Sequence, residues 1–145
     1  MIPHDALIML DTSVVVHLAR NDALGQKVNA DHTLSSRPLR PLISVVTAGE
    51  LFAFARKRSW GQMKLDRLRG ILADLTIVDI RAQPVIDRYA EIDAYSEQVG
   101  RVMGNNDAWI AATAAAAPAW LLTTDKDFDH LHPRFIQREW VDPAV

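Results

Sequence analysis

Four acidic residues, Asp11, Glu50, Asp107 and Asp125, stand where a short apolar run ends or a helix begins. Carboxylates gathered from such distant stretches would repel one another and raise each other's pKa. A hard divalent cation relieves that repulsion, because Mg²⁺ takes oxygen ligands, keeps several waters and needs only a few carboxylates. An ion so held polarises a phosphoryl oxygen and acidifies an attacking water, which is the chemistry of phosphodiester hydrolysis. Each acid also has an ordinary structural role open to it. Asp11 and Asp125 suit turn capping. Thr47-Ala48-Gly49-Glu50 fits a capping box, in which the glutamate folds back onto the first N–H groups of a helix. Asp107 suits a first helical turn, where negative charge complements the macrodipole. The chemical reading gains from coincidence: the elements place all four at one edge of the fold.

Those elements follow from the hydrophobic pattern. Leu7-Ile8-Met9-Leu10, ended by Asp11, reads as a strand buried on both faces. Thr12 and Ser13 offer N-caps for a helix from Val14 to Arg20, and Asn21 to Asp31 continues as a second helical piece. Ser35 to Pro41 reads as a loop. Leu42 to Val46 predicts a second strand. The helix after it carries Leu51, Phe52, Phe54 and Ala55 and closes with Arg56-Lys57-Arg58, whose charges suit its C-terminal dipole. Beyond Gly61, Leu65, Leu68 and Leu72 keep helical spacing. Leu75 to Ile80 is a third strand, and Pro84 opens a long helix towards Gly100. Asn105 or Asn106 caps an alanine-rich helix that Pro118 stops. Trp120 to Thr123 is a fourth strand, and Phe135 to Trp140 a last one at a sheet edge. Strands alternating with helices imply an α/β fold: a mostly parallel central sheet of about five strands with helices on both faces. A single domain over residues 1–145 is expected. In such sheets reactive groups gather at the carboxyl ends of the strands. Asp11 follows strand one, Glu50 lies one turn past strand two, and Asp125 follows strand four. Asp107 begins the helix leading into strand four.

Composition narrows the chemistry further. None of the 145 residues is a cysteine, which excludes thiolate zinc sites, iron–sulfur clusters and cysteine nucleophiles. With 49% hydrophobic and 23% charged residues the chain can bury a core. A net charge of −2 means that nucleic acid must be met by a local patch. Arg56, Lys57, Arg58, Lys64, Arg67 and Arg69 form such a stretch, interrupted only by Asp66, which tracks an RNA backbone or simply caps helix ends. Trp60 beside it is placed to stack on a base, although packing is the expected role of all four tryptophans. His130 and His132 do not share a helix face and read as a surface turn. The most apolar stretch, Ala108 to Leu122, is too short and too interrupted to span a membrane. No signal-peptide pattern opens the chain, so a cytoplasmic location and no membrane partner are expected.

The motifs together resemble a known family. Leu10-Asp11-Thr12-Ser13 and Ser44-Val45-Val46-Thr47-Ala48-Gly49-Glu50-Leu51 resemble the first two motifs of PIN domains. Asn106-Asp107-Ala108-Trp109-Ile110-Ala111-Ala112-Thr113-Ala114 resembles the third, and Leu122-Thr123-Thr124-Asp125-Lys126-Asp127-Phe128 the fourth. The match is closest to the VapC toxins of bacterial toxin–antitoxin pairs and runs from Leu7 to about Val141. It implies a PIN-like three-layer fold and an endoribonuclease dependent on Mg²⁺ or Mn²⁺. By position, Asp11, Glu50, Asp107 and Asp125 become its acidic quartet and metal ligands, with Asp11 and Asp107 the firmest. Thr12, Ser13 and Thr123 become supporting hydroxyls. Asp127 is the alternative fourth acid, although it is better placed to cap the short helix from Phe128 to Leu131. The resemblance also implies a homodimer, an inhibitory VapB-type antitoxin, and structured RNA as substrate, often transfer RNA. Arg56, Lys57 and Arg58 are the expected RNA contacts. Water activated by the cation would attack in line, leaving a 5′-phosphate and a 3′-hydroxyl.

Rival enzymes fit less well. Haloacid-dehalogenase-type phosphatases need a second Asp two positions after the nucleophile, where this chain has Ser13. Receiver domains need a phosphoacceptor Asp after strand three, where it has Ile80 and Arg81. A housekeeping PIN nuclease and a non-cleaving PIN-like scaffold are the nearer alternatives.

Overall fold

The structure is a computed structural model and describes residues 2–144. The described residues form five strands and six α-helices. In chain order they are β1 (Ile8–Leu10), α1 (Thr12–Arg20), α2 (Ala23–His32), β2 (Leu42–Ser44), α3 (Val45–Lys57) and α4 (Gln62–Ala73). Next come β3 (Thr76–Val78), α5 (Gln83–Gln98), α6 (Asn105–Ala116), β4 (Trp120–Thr123) and β5 (Gln137–Trp140). Short 3-10 turns cover Leu34–Ser36 and Lys126–Leu131.

The strands form one sheet in the order β3-β2-β1-β4-β5, and every neighbouring pair is parallel. The central strands are apolar apart from the buried hydroxyls of Ser44 and Thr123 at their carboxyl ends, because both faces are covered. Strand alternation divides the core in two. Met9, Leu42 and Leu121 point to the face covered by α5 and α6. Ile8, Leu10, Ile43 and Leu122 point to the face covered by α1 to α4. This is the α/β sandwich of helices around a sheet that the pattern of elements predicts.

From β1 the chain works outward through β2 to β3, then returns to the other side of β1 with β4 and leaves for β5. The β1–β4 pair is therefore the topological switch point, and its carboxyl ends open a crevice. Asp11 and the segment 123–127 sit there.

Several boundaries differ from those expected. Asp11, not Thr12 or Ser13, is the N-cap of α1, and its side chain accepts from the Thr12 amide. β2 stops at Ser44 instead of reaching Val46, because the Ser44 hydroxyl accepts from Val46 N at 3.1 Å and starts α3 early. Gly104, not Asn105 or Asn106, caps α6, without a side-chain bond. β3 is shorter than Leu75–Ile80 and mostly exposed, as suits an edge strand. Gly100, at φ 73°, takes the left-handed conformation just past α5, where glycine meets no Cβ penalty. Gly25 is required for another reason. A Cβ there would lie 2.2 Å from the His17 carbonyl oxygen, so α2 crosses α1 at backbone contact.

Candidate active site

Asp11 is only 4% exposed at the end of the innermost strand. Its Oδ1 accepts from Thr12 N at 2.8 Å. Its Oδ2 accepts from Ser13 Oγ at 3.0 Å and from Thr123 Oγ1 at 2.7 Å. Two lone pairs per oxygen leave Oδ1 as the atom with capacity to spare. Burial holds the Asp11 carboxyl above its ordinary pKa, opposed by these three donors and reinforced by the Asp125 charge.

Thr123 also ties Asp11 to the fourth motif, since its hydroxyl accepts from Asp125 N at 2.9 Å. Ser13 adds a second tie by accepting from Thr124 N at 3.3 Å. The ends of β1 and β4 are thus cross-linked by hydroxyls, and the two acids they carry are held at fixed separation.

Glu50 lies in the second turn of α3, and Ser44 caps that helix, so Glu50 has no capping-box role. Instead its Oε1 accepts from Thr12 Oγ1 at 2.7 Å and its Oε2 from Asn106 Nδ2 at 3.2 Å. The Thr12 hydroxyl can give its one proton to Glu50 because it can accept from the buried Thr47 hydroxyl, 3.0 Å away. The sequence reads Thr47 only as the start of a capping box and gives neither Thr47 nor Asn106 a part in the site. Asn106 was read as a cap, and the signal that would have found it is its place beside Asp107 in the third motif.

Asp107 stands in the first turn of α6. Burial raises its carboxyl most, and then the charges of Asp11, Asp125, Glu50 and Asp127 follow, lifting it to about 7. The other three acids of the quartet, and Asp127, therefore all act on Asp107. Oxygens of Asp107, Asp125 and Asp127 can all lie within 4.8 Å of one another, a group able to hold a metal ion. Asp125 caps the 3-10 turn by accepting from Asp127 N at 2.8 Å, a role the sequence had favoured for Asp127, and both carboxylates face Asp107. The donors are all carboxylate oxygens, which suits a hard cation.

Arg56, Lys57 and Arg58 are exposed at the far end of α3. They lie roughly 9–12 Å along its axis from Glu50, at 1.5 Å per residue. They are not part of the acidic cluster. Arg58 lies over the Phe54 ring, 4.9 Å from its centroid. The tryptophans are packed: Trp60 edge-on to Phe54, Trp109 stacked on Tyr89, Trp120 against the core, and Trp140 donating to Thr124 O at 3.0 Å.

Along most of its length the chain is similar to known proteins. The PIN domain family matches residues 8–132. Ribonuclease VapC2 of Rickettsia felis is 31% identical over 137 residues, spanning 92% of this chain and 98% of that protein. Among solved structures, VapBC2 of Rickettsia felis bound to a DNA fragment from its promoter superposes with a TM-score of 0.79 at 25% identity, over 94% of this chain and 99% of that one. VapBC-5 of Mycobacterium tuberculosis, a member of the VapBC family of toxin–antitoxin systems, gives 0.71 at 27% identity, over 94% and 99%. With the family match covering most of the chain and the relative aligned nearly end to end, this protein belongs to the PIN-domain family and, within it, to the VapC type.

Proposed function

We propose that this chain is a single-domain, Mg²⁺- or Mn²⁺-dependent endoribonuclease that serves as the toxin of a toxin–antitoxin pair. The observation that carries the reading is Asp107: a carboxyl lifted to about 7, first by burial and then by the charges of four neighbouring acids, is one whose repulsion a divalent cation would relieve. Asp107, Asp125 and Asp127 would hold the ion, with Asp11 Oδ1 behind them. When bound, the cation supplies Lewis-acid polarisation of a phosphoryl oxygen and a lowered pKa for an attacking water. The protein's own groups do the rest. Thr123 and Ser13 fix Asp11, so its charge stays aimed at the crevice. Glu50, with one donor on each oxygen, keeps a lone pair on each to orient water for in-line attack. Asn106 and Thr12 hold that carboxylate in place. The products would be a 5′-phosphate and a 3′-hydroxyl.

RNA as substrate rests on the similarity to Ribonuclease VapC2, and structured RNA such as transfer RNA is our specific proposal. The basic end of α3 would meet its backbone. A VapB-type antitoxin as partner rests on the VapBC complexes that share the fold. A homodimer is supported by exposed apolar residues: Val45 and Phe52, two turns apart on α3, and Ile77 on edge strand β3. No helix among the described residues is long and apolar enough to cross a membrane, and a cytoplasmic site of action is proposed with the toxin role.

The test is RNA cleavage by antitoxin-free protein with and without Mg²⁺, alongside Mn²⁺ titration, for the parent, Asp11→Asn, Asp107→Asn, Asp125→Asn and Asp127→Asn. Loss of cleavage and of ion binding in the variants is expected. Cleavage that survives chelation, or products ending in a 2′,3′-cyclic phosphate, would reject the mechanism.

A further inference from the structure

The turn that ends α3 leaves a hollow behind it. Ser59 takes the left-handed conformation at φ 50°. Ser59 N donates to Arg56 O at 3.1 Å and Trp60 N to Ala55 O at 3.0 Å. This pair of bonds closes the helix and folds the chain back along it, so Trp60 lies edge-on to Phe54 of α3 before α4 departs. Between the two helices is a cavity of about 300 Å³, at the lower end of the range for small-molecule sites. Phe52, Trp60 and Leu65 form its apolar lining, and Arg56, Ser59 and Arg69 its polar lining.

The cations around this cavity divide into two groups. Arg58 lies over the Phe54 ring, and Arg67 donates to Ala19 O. Arg56 has neither an ion pair nor a ring contact among the described residues. Arg69 has only a loose pairing, 3.9 Å from Asp66, with both side chains more than half exposed; such surface pairs contribute little. Of the four arginines between positions 56 and 69, the two left uncommitted are therefore the two that line the cavity. A guanidinium offers paired donors to phosphate, and aromatic rings and guanidinium planes both stack on unpaired bases. Lys57, Arg58, Lys64 and Arg67 surround the mouth against Asp66 alone. So wide a positive field suits a polyanion better than one acidic side chain.

We propose that this cavity is an RNA-recognition site separate from the acidic crevice: it takes one unpaired nucleotide, its base against Trp60 and Phe52 and its phosphate between Arg56 and Arg69. This rests on the RNA reading above. Helical periodicity places Phe52 and Arg56 roughly 120–160° round α3 from Glu50, so the nucleotide held here is remote from the one being cut. An RNA must be long or folded enough to reach both places, which selects structured substrates over short strands. Phe52 also lies on the apolar strip proposed for a second copy, so the cavity opens at the margin of that surface.

The experiment measures binding of single-stranded octa-adenylate to the full chain in chelator, where nothing is cut and no ion holds RNA in the crevice. Arg56→Gln with Arg69→Gln is compared with Lys57→Gln with Arg58→Gln, which removes the same charge beside the cavity and none of its lining. The first pair is expected to weaken binding at least tenfold and the second no more than threefold. Adenosine 5′-monophosphate should displace the strand about tenfold more effectively than ribose 5-phosphate, the scale of one stacked base. Equal losses in the two pairs overturn the proposal, whether the cations act as an unspecific patch or a second copy already fills the cavity. If an acetylated Glu-Phe-Glu peptide displaces the strand and adenosine 5′-monophosphate does not, the cavity belongs to a protein partner and the proposal falls. Should the parent bind neither octa-adenylate nor transfer RNA, the RNA reading itself has failed and this site with it.

Discussion

A carboxyl group lifted to about 7 makes Asp107 sensitive to both protons and cations. Between its ordinary value of 3.8 and about 7, the folded chain retains a proton that the unfolded chain has released. Stability contributed through this group therefore falls as pH rises across that window, the reverse of a salt-bridged aspartate. Asp11, raised mainly by burial, acts in the same direction. With metal chelated, the melting temperature should decline from pH 4 towards 7, and Asp107→Asn should flatten that decline and melt higher than the parent at pH 7. In the same variant RNA cleavage should fall by more than about 100-fold, beyond the effect usual for groups that only orient a ligand. Because ligands must shed protons to bind metal, Mn²⁺ affinity in the parent should rise with pH up to about 7 and then level. Thermal melts in chelator and Mn²⁺ titrations at stepped pH check both. A melting temperature of the chelated parent that climbs through this window would contradict the assigned electrostatics. Much of this was legible at the residue scale. Asp11, Thr12, Ser13, Thr123 and Asp125 follow the ends of short apolar runs, where local pattern locates them. Asn106 and Thr47 were not, because they become partners of Glu50 and Thr12 only when α6 and α1 dock against α3. The Asn106–Glu50 bond spans 56 positions of sequence, and the Thr12–Thr47 bond spans 35.

Elements earn their place here by where they end. β1 and β4 finish side by side at the switch point, and α3 and α6 begin beside it, so four segments deliver acids to one crevice without any of them being long. The order of elements and the parallel sheet were readable from runs such as Ile8–Leu10 and Trp120–Thr123, since a strand buried on both faces has no polar alternation to obscure it. Boundaries were less readable, because β2 passes directly into α3 and the β-branched Val45 and Val46 favour a strand by propensity. What decides is the Ser44 hydroxyl capping Val46 N. Gly25 was invisible for a different reason. Inside a helix it looks like a weakness, and only the crossing of α1 over α2 shows that it is required. Gly25→Ala would place Cβ 2.2 Å from the His17 oxygen and 2.7 Å from its carbonyl carbon, both main-chain atoms that cannot rotate away. The helices must separate, at a cost expected to reach or exceed about 1–3 kcal/mol, the range for overpacked cores. Denaturant unfolding at fixed metal concentration measures it. An unchanged midpoint would mean that the two helices slide apart freely.

For the molecule as a whole, the charge distribution matters more than its sum. The net charge is −2, and the crevice concentrates acids, so an RNA must be attracted elsewhere before a phosphate can approach Asp107 and its neighbours. The far end of α3 and the following α4 carry exposed Arg56, Lys57, Arg58, Lys64, Arg67 and Arg69 against a single Asp66. Part of this charge is committed to packing: Arg58 lies over Phe54, Lys64 lies 5.5 Å from the Trp60 ring centre, and Arg67 donates to Ala19 O at 3.3 Å. Arg56 and Lys57 are exposed in the last turn of α3, roughly 9–11 Å beyond Glu50 along the helix, close enough to hold a neighbouring stretch of backbone while one phosphate occupies the crevice. A contact of that kind works by releasing counterions, and each one contributes about 0.7 to the slope of log affinity against log salt on single-stranded RNA. Replacing Arg56 and Lys57 together by alanine should therefore weaken RNA binding most at low salt and lower the slope by up to about 1.4. It should leave Mn²⁺ affinity unchanged, because neither residue reaches the acidic group. Binding of a cleavage-inactive Asp107→Asn chain to RNA, measured across a salt series with and without the two alanines, separates the possibilities. Parallel salt dependences would assign these cations to the helix C-terminus alone, and the RNA would then have to be drawn in by some other face of the molecule.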